Sequence, residues 1–254
     1  MLVSIKEDEK AAGISAGKKA ASFIREAIQS KGNATIILAT GSSQFEVLHQ
    51  LTNEKGIDWN KVTMFHLDEY IGLPDTHKAC FRKYLRERFV EKVPDLKAVN
   101  FINGEAHPQN ECKRLKELIS TSRVDVALVG IGENGHLAFN DPPADFETEE
   151  PFLGVDLDEK CRQQQVNEDW FYSIDEVPTQ AISMSVKQIM SSKYIVCTVP
   201  GTRKAEAVKH TVEGNVSHLH PASILQKHPD CYLFLDDSSA SLLLNKESYI
   251  SWNS

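Results

Sequence analysis

The stretch Val124-Asp125-Val126-Ala127-Leu128-Val129, running directly into Gly130-Ile131-Gly132, decides the fold class. Its nearly continuous apolar character is that of a strand buried on both faces. The glycines that follow allow a tight turn into a loop or helix. The same arrangement recurs upstream. Thr35-Ile36-Ile37-Leu38-Ala39 is a second such strand, followed by Thr40-Gly41-Ser42-Ser43 and a helix from about Gln44. Val62-Thr63-Met64-Phe65-His66 and Val99-Asn100-Phe101-Ile102 are two more, with helices expected over 78–91 and 109–121. An opening helix with Ala11, Ile14, Gly17, Ala21, Ile24 and Ile28 on one face precedes them, so the first strand is expected at about residue 35. Regularity lapses after residue 140, around Pro142, Pro143 and Pro151. It resumes with Ala181-Ile182-Ser183-Met184, Tyr194-Ile195-Val196-Cys197-Thr198-Val199, a helix from Thr202, and Cys231-Tyr232-Leu233-Phe234-Leu235.

Repeated alternation of buried strands and amphipathic helices implies an α/β fold. The expected form is a Rossmann-like three-layer sandwich, a mostly parallel sheet covered by helices on both faces. In such sheets ligands bind at the carboxyl ends of the strands, near a switch in strand order. A single domain over residues 1–254 accommodates the pattern, with a lid segment expected around 142–178.

Composition narrows the function classes. Forty-one per cent hydrophobic residues supports a sizeable core, and a formal charge of −8 without a basic stripe argues against nucleic acid as a partner. Five cysteines without a Cys-x-x-Cys pair argue against a disulfide framework or zinc ribbon and for a reducing, cytoplasmic setting. No apolar run approaches the roughly 20 residues of a membrane helix, and the N-terminus lacks the apolar core of a signal peptide.

Four segments at strand ends could carry chemistry. Thr40-Gly41-Ser42-Ser43-Gln44 offers backbone and hydroxyl donors at a helix start, suited to an anion, and equally reads as an ordinary cap. In His66-Leu67-Asp68-Glu69-Tyr70 adjacent carboxylates close a strand; one of them is a candidate general base, and the alternative is a solvated turn. Gly132-Glu133-Asn134-Gly135-His136-Leu137-Ala138-Phe139-Asn140-Asp141 surrounds a histidine with glycines and polar orienters. Imidazole moves protons in either direction near neutral pH, with Asn134 and Asp141 in reach to set its tautomer. Finally, Lys204 in Gly201-Thr202-Arg203-Lys204-Ala205 sits against the helix dipole, which suggests an answering anion or else a surface lysine. The other histidines, His218 and His220 included, form no cluster that would hold a metal.

At these segments the chain resembles the glucosamine-6-phosphate deaminase (isomerase) family over most of its length. The carrying motifs are Leu67-Asp68-Glu69-Tyr70-Ile71-Gly72-Leu73-Pro74 and Gly132-Glu133-Asn134-Gly135-His136-Leu137-Ala138-Phe139-Asn140-Asp141-Pro142. Thr40–Ser43, Gly201–Ala205 and Glu213-Gly214 support them. The 6-phosphogluconolactonases share the fold, but their loops typically read Asp-Glu-Arg and Asp-Gly-His followed by Ala-Ser; Tyr70 and Phe139-Asn140 side with the deaminases.

The resemblance implies conversion of glucosamine 6-phosphate to fructose 6-phosphate and ammonia without cofactor or metal. It implies Asp68 as the C2–C1 proton shuttle, with Glu69 as the rival carboxylate. His136 would open the pyranose ring, oriented by Asn134 and Asp141 and held in a loop that includes Gly135. Thr40, Gly41, Ser42, Ser43 and Lys204, with Arg203 as a further candidate, would hold the 6-phosphate. Asn134 and Asp141 stand where the family often has Asp and Glu. The family's lid sequence Asn-x-Arg-Phe-Phe reads Asn167-Glu168-Asp169-Trp170-Phe171 here, so the phosphate-binding arginine is missing, with Arg162 or Arg203 as conceivable replacements. Galactosamine 6-phosphate and lactone hydrolysis are the alternatives within enzymes. A non-catalytic sugar-phosphate sensor is the alternative outside them, and it would want a helix-turn-helix segment ahead of the fold. No nucleic-acid or membrane partner is expected, and oligomeric state, a homo-oligomer included, is left open.

Overall fold

The computed structural model describes residues 1–121 and 123–249. In chain order its strands and helices are β1 (Leu2–Lys6), α1 (Glu9–Lys31), β2 (Ala34–Leu38), α2 (Phe45–Asn53), β3 (Val62–His66), β4 (Asp68–Tyr70) and α3 (Phe81–Arg88). There follow β5 (Ala98–Asn100), α4 (Pro108–Ile119), β6 (Val126–Val129), β7 (Phe152–Asp156), α5 (Glu159–Asn167) and β8 (Gln180–Met184). The last are α6 (Val186–Met190), β9 (Tyr194–Val199), α7 (Ala205–Val212) and β10 (Cys231–Asp236). A seven-stranded sheet runs β1-β10-β9-β6-β2-β3-β5, with every pairing among the described residues parallel.

Side chains leaving the strands alternately build the two outer layers. Ile36, Leu38, Val126 and Leu128 join Ala16, Leu48 and Leu85 from α1, α2 and α3 on one face. Ile37, Ala127, Val129 and Cys197 join Leu115, Ile189 and Val208 from α4, α6 and α7 on the other. This is the expected three-layer α/β sandwich. The chain travels outward from β2 through β3 to β5, then returns to place β6 on the other side of β2. The order therefore reverses between β2 and β6, and the crevice this opens lies where ligands bind in such sheets.

Three expectations need correction. The first strand is not at residue 35: Leu2–Lys6 pairs with β10 at the sheet edge. A five-residue edge strand with Ser4 inside it and charges around it carries little of the apolar signature that marks a central strand. The buried face of α1 coincides with the expected one at Gly17, Ala21 and Ile24 and is displaced from it elsewhere. Ala12, Ala16, Ala20, Ile24 and Ala27 are fully enclosed while Ala11, Ile14 and Ile28 are partly exposed, because small residues let α1 pack closely on the sheet and α2. Lastly, β8 does not join the parallel sheet but pairs antiparallel with β4 and β7 in a separate three-stranded sheet. That small sheet begins where the chain leaves β3. The Leu67 amide donates to Leu38 O in β2, and its carbonyl accepts from Met184 N in β8.

Candidate active site

The carboxyl ends of β2, β3, β6 and β9 surround one cleft, lined by Thr40–Ser43, Leu67 and Asp68, Gly130–Gly132 with His136, and Pro200–Lys204 with Arg203. Glu9 from α1 and Gln164, Gln165 and Glu168 from the α5 segment complete its wall. The loops singled out from sequence thus converge in space.

Two of its turns are built alike. After β2 the chain turns at Gly41 (φ 93°, ψ 172°), and after β9 at Gly201 (φ 93°, ψ 144°), each followed by one 3-10 turn and a helix. A left-handed φ of this kind requires glycine, and the turns aim unpaired helix-start amides at the cleft. Tyr84 Oη donates to Gly41 O (2.8 Å), and Asp236 at the end of β10 accepts from Gly201 N (3.1 Å), pinning one turn each. Lys204 is not the exposed helix-start lysine that sequence allowed. It is 9% exposed, and among the described residues no carboxylate lies within ion-pair distance of its ammonium. Burial pushes its pKa down, and the nearby Glu168 partly opposes this. A buried cation without a close counter-ion is costly and marks a place for an anion.

The adjacent carboxylates of β4 face opposite ways, as strand geometry demands. Asp68 lines the cleft. Glu69 points away and is fully enclosed rather than solvated. It accepts from the Phe81 and Arg82 amides (3.2 and 2.9 Å) and from the Arg82 guanidinium (3.3 Å), capping α3. Among the described residues no such donor reaches the Asp68 carboxylate; burial, and next the Glu69 charge, push its pKa up to about 8. A desolvated carboxylate of that kind is a strong base once ionised.

The histidine loop is equally constrained. A side chain on Gly132 would fall 2.3 Å from the His136 ring, so glycine is needed for the ring to lie against the backbone there. Gly135, with φ 86°, makes the turn and does not line the cleft. His136 Nδ1 meets Asp141 Oδ1 at 3.0 Å, leaving Nε2 for the cleft. Asn134 does not touch the ring, contrary to the expected arrangement. Its Oδ1 accepts from His136 N (3.1 Å), and its Nδ2 donates to Asp141 (2.9 Å) and Asp158 (3.2 Å). Burial alone would raise the pKa of Asp141, but hydrogen bonds from His136, Asn134 and the Asp158 amide outweigh it and hold it below the usual value. The loop is tied to β8 by Asn140, which donates to Leu137 O and Met184 O.

Sequence reading anticipated no metal-ligating cluster, yet His136, Asp141 and Cys161 bring ring, carboxylate and thiol donors within 4.8 Å of one another. The ring and carboxylate already hold each other, and burial pushes the Cys161 thiol well above its usual pKa, which disfavours the thiolate a metal would need. His218 and His220 are elsewhere engaged, with Ala144 O and the ring of His210.

With this geometry established, comparison with known proteins is decisive. A family model described as glucosamine-6-phosphate isomerases/6-phosphogluconolactonase matches residues 7–233. The chain belongs to the glucosamine-6-phosphate isomerase/6-phosphogluconolactonase family. Among its curated relatives, a glucosamine-6-phosphate deaminase of Bacillus cytotoxicus is 36% identical over 221 residues, covering 87% of this chain and 82% of that one. The solved structure of a monomeric glucosamine-6-phosphate deaminase superposes with a TM-score of 0.86 at 33% identity, over 95% of this chain and 100% of that one. A 6-phosphogluconolactonase from Trypanosoma brucei has a TM-score of 0.78 at 16% identity, over 95% and 98% of the two chains, and shares the fold.

For this member of the isomerase/lactonase family, the α5 segment holds what sequence reading missed. Of the two arginines considered as substitutes for the family's arginine, only Arg203 lines the cleft. Arg162 donates to Ile174 O and Val177 O away from the cleft, and Arg203 bridges Glu133 (3.3 Å) and donates to Asn167 O (3.1 Å). Glu168, not a cation, enters the cleft. Its Oε2 accepts from Ser42 Oγ (3.0 Å) and Trp170 Nε1 (3.4 Å), its Oε1 from Gln164 Nε2 (2.7 Å). Burial works against its charge, but the Lys204 ammonium and these hydrogen bonds outweigh it and hold the pKa low. Asp158 and Asp236 were missed too. Each is a carboxylate at an element end, and sequence offers only a helix-capping or strand-end signal for them.

Proposed function

We propose that this chain isomerises and deaminates glucosamine 6-phosphate to fructose 6-phosphate and ammonia. The observation that carries the reading is the buried Asp68, aimed into the same cleft as His136 and Lys204 while Glu69 is sealed on the other side of its strand. The 36% identity to a glucosamine-6-phosphate deaminase supports the substrate assignment.

In this reading the Ser42–Ser43 turn and Lys204 hold the 6-phosphate. His136 Nε2, with Nδ1–H anchored on Asp141, carries a proton between the ring oxygen and O1 to open the pyranose. Asp68 takes the C2 proton of the open-chain aldehyde, giving an enolamine, and returns it to C1. The resulting C2 imine adds water and releases ammonia, leaving the ketose. Each step is proton transfer or hydration, which positioned acid–base groups can supply. Five free cysteines and the absence, among the described residues, of any helix able to cross a membrane accord with a cytoplasmic setting.

The test is ammonia release across glucosamine 6-phosphate, galactosamine 6-phosphate and unphosphorylated glucosamine, beside hydrolysis of 6-phosphogluconolactone. Ammonia chiefly from glucosamine 6-phosphate is expected; preferential lactone hydrolysis would overturn the assignment.

A further inference from the structure

The α5 segment presents a carboxylate to the donors that an anion would use. Ser42 Oγ donates to Glu168 Oε2, and the same oxygen lies 4.0 Å from where a side chain on Gly41 would begin. Glu168 is therefore seated over the first of the two glycine turns, with the unpaired Lys204 of the second turn nearby. Its position is set from several sides. Gln164 and Trp170 hold the carboxylate, Arg203 holds the Asn167 carbonyl just before it, and Asp169 just after it adopts φ 61° so that Trp170 N can return to Gln165 O. A surface glutamate could satisfy its charge in water; this one is ordered into the cleft by hydrogen bonds from three residues, Ser42, Gln164 and Trp170.

We infer that Glu168 is a built-in competitor for the anion subsite, which screens out small free anions and admits only ligands with enough additional contacts to displace it. The inference rests on the Ser42–Lys204 phosphate reading above. Inorganic phosphate arriving at Ser42 meets a like charge and gains nothing but the turn and Lys204. A sugar phosphate meets the same charge, but its ring and hydroxyl groups reach the far side of the cleft and contribute binding that offsets the displacement. Where the family's lid commonly brings an arginine to the phosphate, this segment thus brings a carboxylate that must yield; the cost is common to every anion, so free phosphate is left too weak to occupy the subsite at concentrations where a ligand with further contacts still binds.

The experiment is calorimetric titration of the full chain with inorganic phosphate, comparing wild type with Glu168→Gln, Glu168→Ala and the double variant Glu168→Gln/Lys204→Met, alongside the Michaelis constant for glucosamine 6-phosphate. Removing the charge should tighten inorganic phosphate by about tenfold, the scale of one close charge–charge contact in a partly dry site, and lower the Michaelis constant by a similar factor, since both ligands displace the same carboxylate. Adding Lys204→Met should abolish the gain. Unchanged or weaker phosphate binding in both single Glu168 variants, with Lys204 still required, overturns the competitor role while leaving the phosphate subsite standing. Phosphate binding indifferent to Lys204 would overturn the subsite itself, and this inference with it.

Discussion

Replacing Asp68 by asparagine should stabilise the protein, by an amount that grows with pH. The folded-state pKa of about 8 lies above the ordinary 3.8 because the carboxyl is buried and beside Glu69. Below pH 3.8 the group is protonated whether the chain is folded or not, so its burial costs nothing extra. Between 3.8 and about 8 the folded state keeps a proton that the unfolded chain has released, so wild-type stability falls as pH rises through this window and levels off above it. At ~1.4 kcal/mol per pH unit, the full displacement from 3.8 to about 8 bounds the effect at about 6 kcal/mol above pH 8. Asparagine fits the site without a titrating charge. Water entering the cleft will relieve part of the strain in wild type, so a gain of about 2–3 kcal/mol is expected at pH 8.5, equal to several degrees in Tm. Urea unfolding of both proteins from pH 4 to 9 measures it. A difference that is flat with pH, or that favours wild type as pH rises, would refute the placement of Asp68 as a desolvated carboxyl. The same ionisation predicts that kcat/KM rises with pH up to about 8, since the base must be charged to act.

The neighbouring carboxylate should behave in the opposite sense. Glu69→Ala strips the buried Phe81 and Arg82 amides of their acceptor and takes from the Arg82 guanidinium one of its two carboxylates, leaving it Glu105, and should destabilise by about 2–4 kcal/mol, read from the same unfolding curves. Lys204→Met should raise the Michaelis constant for the phosphorylated sugar about tenfold or more without lowering Tm, since it removes a buried charge; an unchanged constant would exclude a phosphate role. Asp141→Asn should cut kcat by about 10²-fold with little change in the Michaelis constant, by releasing the His136 ring from its anchored orientation; steady-state kinetics beside an unaltered fold would check it. His136→Gln should slow turnover of the cyclic sugar far more than C2 exchange on open-chain substrate, and equal losses would count against a ring-opening role.

Much of this was legible before any coordinates. Central strands such as Thr35–Ala39 and Tyr194–Val199 announce themselves because both faces are buried, and the loops after them converge because parallel strands end on one side of the sheet. β1 was invisible for the converse reason, since a short edge strand needs few apolar residues. The departure of β8 into a second sheet could not be read either, because a buried strand looks alike in both settings. In the site, Asp68, His136 and the two glycine turns stood out by residue type at a strand end. Asn134 was expected at the ring and instead braces Asp141, a distinction of an ångström or two that spacing cannot resolve. Glu168 lay in a segment already conspicuous for lacking an arginine, but only the fold reveals that the α5 segment carries a carboxylate to Ser42. The burial of Lys204 is likewise a tertiary fact with no local signature.

The central claim is that Asp68 moves the C2 proton of glucosamine 6-phosphate. Its most direct test is deuterium incorporation during turnover in heavy water, followed by magnetic resonance for wild type, Asp68→Asn and Glu69→Gln and normalised to folded protein. Wild type should exchange the proton and release ammonia. Asp68→Asn should bind the sugar phosphate yet lose exchange by about 10²–10⁴-fold, the usual worth of a positioned base, while Glu69→Gln keeps exchange within about tenfold of wild type. Exchange that survives in Asp68→Asn and vanishes in Glu69→Gln would contradict the account.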